Sequence, residues 1–261
     1  MAEVVGVVGL GAMGVPMAAN LERAGYEVAG HDVRGTGGCG SVAEVVARTT
    51  RAVIVLVRTR PQVEAVVAEI AAAERPGLDV AIMSTIDPGT MARLATELRE
   101  RGIAAVDAPV SGGVGGAESG MLAIMAAGEP EAVERCRPLF EAMGRSLFVV
   151  GDRPGMGQAV KLANQLMLAV SMLAAQEGIR LAGEYGLDAE DVLPVIERST
   201  GASWVAANWQ TVLTWWRDYE PGGPLDIIVK DMRSLLDDAA ERRLPLPVAA
   251  LAFQRLHDVW R

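Results

Sequence analysis

The sequence predicts an α/β domain built on a mostly parallel, doubly wound sheet, followed by an all-helical domain. Three observations carry this. Up to residue 150, short apolar runs that lack alternation interleave with helical patterns, which is how strands covered on both faces look. A glycine-rich turn joins the first run to the first helical pattern. After Gly157 no convincing strand pattern recurs. The expected division is 1–157 for the α/β part and 158–261 for the helical part.

In chain order the strand candidates are Val4–Val8, Tyr26–His31, Ala52–Val57, Val80–Met83, Ile103–Val106, Leu122–Ala126 and Leu147–Val150. Between them lie the helical patterns Pro16–Ala24, Pro61–Ala73, Pro88–Arg101 and Pro130–Met143. Asp87-Pro88 and Glu129-Pro130 place a proline in a first turn, where its missing N–H leaves no helical bond unmade. A long Ala/Leu/Met helix then runs over about 158–183. Leu187-Asp188 opens a second helix to about Ser199, and Tyr219–Pro224 is a turn-rich break before another.

Of the 261 residues 51% are apolar but only 4% aromatic, so the core is built mainly from Ala, Val, Leu and Met. The net charge of −9 disfavours a nucleic-acid partner, because phosphates are repelled overall. Cys39 and Cys136 are isolated, so neither a metal cluster nor a disulfide framework is expected. No charged and apolar leader precedes Val4, and the apolar runs fall short of the roughly 20 residues of a membrane span. A cytoplasmic protein with no membrane partner is the expectation. The sharpest feature is that 22 of 24 basic residues are Arg, leaving Lys161 and Lys230 as the two lysines. Arg holds its proton near neutral pH, whereas a lysine can release one.

Gly9-Leu10-Gly11-Ala12-Met13-Gly14 fits G-x-G-x-x-G. It lies between a strand and a helix, as a dinucleotide-binding turn of Rossmann type requires. Helix-start amides there favour a pyrophosphate. Asp32 ends the second strand at about the distance of the acid that grips the ribose hydroxyls. A carboxylate there repels a 2′-phosphate, so NAD is expected over NADP, although Arg34 two residues on offers a phosphate partner.

At the other end of the site, Asp107-Ala108-Pro109-Val110-Ser111-Gly112-Gly113 follows the fifth strand. The Ser111 hydroxyl and the Gly112 and Gly113 amides form a donor set suited to a carboxylate. Gly155-Met156-Gly157-Gln158 then opens the long helix, with Lys161 near its start and Asn164 and Gln165 three and four residues on. That spacing puts an amide side chain on the lysine's face. An amine at a helix start in a dry cleft is expected to give up its proton more readily than a solvated one. That suits exchange with a hydroxyl as hydride leaves the same carbon.

These motifs resemble the β-hydroxyacid dehydrogenase family, which includes 3-hydroxyisobutyrate dehydrogenase and tartronate semialdehyde reductase. The matching stretches are 9–21, 84–88, 107–113, 155–165 and 229–232, collinear over nearly the whole chain. The resemblance implies that Ser111, Gly112 and Gly113 hold the substrate carboxylate, and that Lys161 is the general acid/base. It implies that Asn164 or Gln165 orients the substrate, and that Thr85 sits near the nicotinamide ribose. Lys230 and Asp231 would close over nicotinamide and substrate. The helical part would serve as a dimerisation platform, giving a homodimer or a dimer of dimers.

The chain also departs from the family. The segment between Asp32 and Ala52 is short and glycine-rich, about a dozen residues less than the family usually has beside the adenosine pocket. NADP users of the family often carry Asn-Arg where this chain has Asp32-Val33. Trp204, Trp209, Trp215 and Trp216 are unusually dense, with core or subunit packing favoured over a bulky substrate pocket. Among other dehydrogenases, the Tyr-x-x-x-Lys class fails because Tyr26, Tyr185 and Tyr219 lack the lysine. Zinc and histidine classes lack their residues. Imine reductases, which generally place another residue at the Lys161 position, and a non-catalytic dinucleotide-binding protein are the alternatives.

Overall fold

The computed structural model describes residues 2–258; the side chains of His257 and Asp258 lie outside the described part. The elements of the α/β part are β1 (Val4–Val8), α1 (Gly14–Arg23), β2 (Glu27–His31), α2 (Val42–Arg48), β3 (Ala52–Val55) and α3 (Arg60–Ala72). They continue with β4 (Asp79–Ile82), α4 (Pro88–Arg99), β5 (Ala104–Asp107), β6 (Val110–Ser111), α5 (Gly113–Ser119), β7 (Ala123–Ala127), α6 (Pro130–Met143) and β8 (Ser146–Gly151). The long α7 (Met156–Gly183) follows, then α8 (Ala189–Ile196), α9 (Trp204–Ala207), α10 (Trp209–Arg217), α11 (Pro224–Glu241) and α12 (Pro247–Asp258).

Among the described residues the eight strands form one sheet in the order β2-β1-β3-β4-β5-β7-β6, with β8 also paired to β7. Pairing is parallel from β2 through β5, and again between β7 and β8. Only the pairings of β7 with β5 and β6 are antiparallel. The strand order reverses between β1 and β3, which leaves a crevice at their carboxyl ends where ligands of such sheets bind.

The non-alternating runs have a direct structural reason. Ala52 and Ile54 pack into one core cluster with Leu21, Val106 and Phe140. Val53 and Val55 pack into the opposite one with Val63, Ile70 and Leu94. Successive side chains point to opposite faces, and helices cover both, so every position is apolar. Helix starts follow local rules as well. Ser41 caps α2, Asp87 caps α4 through Thr90 N at 2.7 Å, and prolines sit in the first turns of α3, α4, α6 and α11.

The sequence reading assigns no element to 110–119 or to 33–51, where β6, α5 and α2 are found. Each is at most seven residues long, too short for a periodic pattern to register. The glycine-rich stretch after β2 folds back on that strand. Gly35 N–H reaches Asp32 O at 2.8 Å, Asp32 N–H reaches Thr36 O at 3.0 Å, and Cys39 N–H reaches Gly30 O at 3.0 Å.

The chain divides into two compact units, one up to Lys161 and one from Leu162 on, and the division falls within α7. The second unit has its own core of Leu193, Val205, Trp209, Val212, Ile228 and Met232, among others. Two aromatic pairs belong to it. Trp204 stacks on Trp215 at 5.8 Å, and Trp209 meets Trp216 edge-on at 5.5 Å. Trp209 is buried, and Trp215 and Trp216 pack against the core, as the packing reading expects, while Trp204 is exposed. The expectation that no segment approaches a membrane span needs one correction. α7, with 28 residues and a mean hydropathy of 1.2 in its best window, is long and apolar enough by length and composition. Near its start Gln158, Lys161 and Gln165 are buried in protein, and towards its end Gln176, Glu177 and Arg180 are exposed.

Candidate active site

The three motif glycines of the β1–α1 turn differ in what surrounds them. Gly9 adopts φ +101°, and a Cβ there would lie 2.2 Å from Leu56 O. A Cβ on Gly14 would lie 1.9 Å from Gly9 O, so helix and turn touch backbone to backbone. At Gly11 the nearest atom to a Cβ would be Arg34 Nη2 at 3.6 Å. The first and third glycines are therefore demanded by the fold. The second leaves open space where a pyrophosphate approaches the backbone at the start of α1. The residues present fit a dinucleotide.

Asp32 sits beside this turn. Its Oδ2 accepts from Leu10 N–H at 2.9 Å, and its Oδ1 accepts from Arg34 N–H at 3.0 Å and Arg34 Nε at 2.8 Å. Arg34 Nη2 also donates to Leu10 O at 2.9 Å. The Arg34 hydrogen bonds, with the Leu10 amide, pull the Asp32 carboxyl down to about 2. The acid is therefore ionised at any working pH. His31 Nδ1 lies 2.9 Å from Cys39 O and ties the strand end to the following loop. Ala12 is exposed, Met13 and Thr85 are half-buried, and Ser84 and Ile86, either side of Thr85, are buried.

The substrate-loop residues follow β5. Ser111 lies on β6, opposite Ala123 of β7, and Gly112 and Gly113 are exposed where α5 begins. Lys161 lies in the second turn of α7 and is 6% exposed. The start of α7 is held by residues that the sequence reading did not single out. Asp107 Oδ2 accepts from Gly155 N–H at 2.8 Å and Gln158 N–H at 3.0 Å, and Oδ1 accepts from Gln158 Nε2 at 2.9 Å. Gln158 Nε2 also donates to Ser84 O at 3.0 Å, and its Oε1 accepts from Ile86 N–H at 3.1 Å. Burial pushes the Asp107 carboxyl up to about 7 against the opposing pull of these donors. The signal for this pair was a carboxylate ending a strand and a glutamine in a helix's first turn, both inside quoted motifs.

In the second unit Gln165 is 4% exposed and donates Nε2 to Asp231 Oδ2 at 2.8 Å. Asp231 has no exposed surface, and Lys230 Nζ lies 2.7 Å from its Oδ1. Asp231 was expected to contact substrate and nicotinamide. Within the fold its two oxygens face Gln165 Nε2 and Lys230 Nζ. Of the two candidate amides, Asn164 is the half-buried one. Its Nδ2 makes a 3.4 Å bond to Gln165 Oε1.

Comparison with known proteins agrees with this geometry. Residues 4–151 match the family model described as the NAD-binding domain of 6-phosphogluconate dehydrogenase. Residues 155–260 match the model described as NAD-binding of NADP-dependent 3-hydroxyisobutyrate dehydrogenase. L-threonate dehydrogenase of Cupriavidus necator is 37% identical, covering 97% of this chain and 89% of that protein. NAD-dependent L-serine dehydrogenase of Pseudomonas aeruginosa is 37% identical, covering 95% and 90%. Among solved structures, 3-hydroxyisobutyrate dehydrogenase of Mycobacterium tuberculosis with L-serine superposes with a TM-score of 0.89 at 30% identity, covering 99% and 94%. Imine reductases share the fold at 17–19% identity. The chain thus belongs to the β-hydroxyacid dehydrogenase family of nicotinamide-dependent oxidoreductases.

Proposed function

We propose that this protein moves a hydride between NAD and a small 3-hydroxy acid, interconverting the acid and its semialdehyde, with Lys161 handling the hydroxyl proton. The observation that carries this is Lys161 itself. It is an amine withdrawn from solvent near the start of α7, in a chain that uses Arg for 22 of its 24 cations. Bound NAD supplies the hydride acceptor. In the oxidation direction the neutral Lys161 amine takes the proton from the hydroxyl as the C–H electron pair departs, leaving an ammonium and a carbonyl. In reduction the ammonium returns that proton. Ser111 and the Gly112 and Gly113 amides hold the carboxylate, Asn164 orients the hydroxyl-bearing carbon, and Lys230, steadied by Asp231, adds a cation toward the acid. Thr85 contacts the nicotinamide ribose.

NAD is preferred over NADP because Asp32 is fully ionised and confronts a 2′-phosphate with like charge. Arg34, the group that would answer that phosphate, is already bonded to Asp32 and Leu10. The relatives named above act on short hydroxy acids, which supports L-serine, L-threonate and 3-hydroxyisobutyrate as the first substrates to test. The protein is placed in the cytoplasm as a homodimer or dimer of dimers. The strongly exposed apolar residues Met167, Leu181 and Leu251 of the helical unit support assembly. The test is NADH formation with a panel of such acids. Turnover by the wild type that is lost in Lys161→Ala supports the reading. NAD binding without turnover of any hydroxy acid leaves only a dinucleotide-binding protein.

A further inference from the structure

α7 enters the sheet by a close approach that tolerates no side chain. A Cβ on Gly157 would lie 2.3 Å from Met125 O, and one on Gly155 would lie 2.8 Å from Pro88 O. What seats the helix there is a carboxylate from a strand that ends 48 residues earlier, not a cap from its own chain neighbours. The amides of Gly155, Gly157 and Gln158 and the Gln158 carboxamide all lower the Asp107 pKa as donors. These donors oppose the burial that raises it, so the carboxyl stays tied to them in either protonation state. Gln158 closes the arrangement. Its carboxamide joins the first turn of α7 to the end of β5 and to the loop after β4 in one set of bonds.

We infer that Asp107 and Gln158 are positioning residues that fix the depth and rotation at which α7 starts, and with them the place from which Lys161 exchanges a proton. The inference rests on reading Lys161 as the proton-handling group. Two relationships take it beyond packing. Lys161 follows Gln158 by three residues, so it rises from the same face of the helix one turn later. Ser111 follows Asp107 by four residues in the chain, so the strand end that anchors the lysine's helix also carries the substrate loop. A small displacement at Asp107 moves both, and proton transfer depends steeply on such distances. Burying a carboxyl away from water is costly, and a mere helix start does not require it.

The test uses two variants with kcat, KM, NAD affinity and pH profile as readouts. Gln158→Leu removes the carboxamide at similar volume. It is expected to lower kcat about tenfold or more while NAD affinity stays within about twofold. Gln158→Glu keeps the shape but sets a second carboxyl against Asp107. Like charges at that distance cannot both ionise, so the pair shares a proton in acid and repels in base. Its oxidation rate is expected to approach that of the wild type at about pH 6 and to fall toward about pH 9, where the wild type gains. Should Gln158→Leu fail to fold, the near-isosteric Gln158→Glu profile decides. Wild-type kcat in a folded Gln158→Leu together with a wild-type profile in Gln158→Glu overturns the inference. If Lys161→Ala is inactive in that case, only the positioning role falls. If Lys161→Ala is fully active, the reading of Lys161 falls and the inference with it.

Discussion

Gln165 donates Nε2 to Asp231 Oδ2 at 2.8 Å, and Asp231 in turn holds Lys230 Nζ at 2.7 Å from its other oxygen. One fully buried carboxylate therefore binds α7 to α11 within the helical unit and fixes the second of the chain's two lysines. Asp231→Ala removes the bond to the Gln165 amide and the ion pair with Lys230. The expected loss is about 3 kcal/mol of stability, read by chemical denaturation. A loss below about 1 kcal/mol would show the link to be dispensable.

The glycine-rich turn separates fold from function at single positions. Gly11→Ala adds a methyl where the nearest atom is 3.6 Å away. The melting temperature is expected to hold, while NAD affinity falls about tenfold or more because the pyrophosphate loses its approach. Gly14→Ala drives a methyl against Gly9 O, 1.9 Å away, and is expected to disrupt folding itself. Equal melting temperatures and equal NAD affinities in the two variants would contradict these roles.

Cofactor choice is expected to follow Asp32 and Arg34. Asp32→Ala removes the charge that repels a 2′-phosphate and frees the guanidinium it holds. The NADP-to-NAD ratio of kcat/KM should then rise by about tenfold or more. Asp32→Ala combined with Arg34→Ala should lose most of that gain. Unchanged preference in the first variant would mean that the tight turn over 32–39 sets selectivity by shape.

Asp107 makes a prediction about pH with a definite sign. Burial holds its carboxyl at about 7 in the folded state, well above the ordinary aspartate range. The folded state therefore holds the proton more tightly than the unfolded chain. The stabilising contribution is complete below about pH 4 and is lost as pH rises to about 7, following proton linkage. The stability of the wild type relative to Asp107→Asn should fall across that window. Two curves that stay parallel from pH 4 to 8 would contradict a buried acid that titrates there.

Much of this was legible in the sequence, and the residues show why. Strands with both faces covered are apolar throughout, so Ala52–Val55 announces itself without any partner. Gly9, Gly11 and Gly14 are readable because each carries a separate steric demand at fixed spacing. Lys161 stood out because Arg replaces Lys almost everywhere else. The seat of α7 was not legible, since it joins Asp107 to Gln158 across 51 residues and no local pattern encodes a long-range hydrogen bond. The link from Asp231 to Gln165 was hidden for the same reason, since it spans 66 residues.

The central claim concerns one amine. Single-turnover hydride transfer, measured for wild type and Lys161→Ala with NAD affinity determined in parallel, tests it most directly. The variant is expected to transfer hydride about 10² or more slower with NAD affinity unchanged, and the wild-type oxidation rate to climb with pH. A variant that transfers hydride within a few-fold of the wild type, with the same pH dependence, would contradict it.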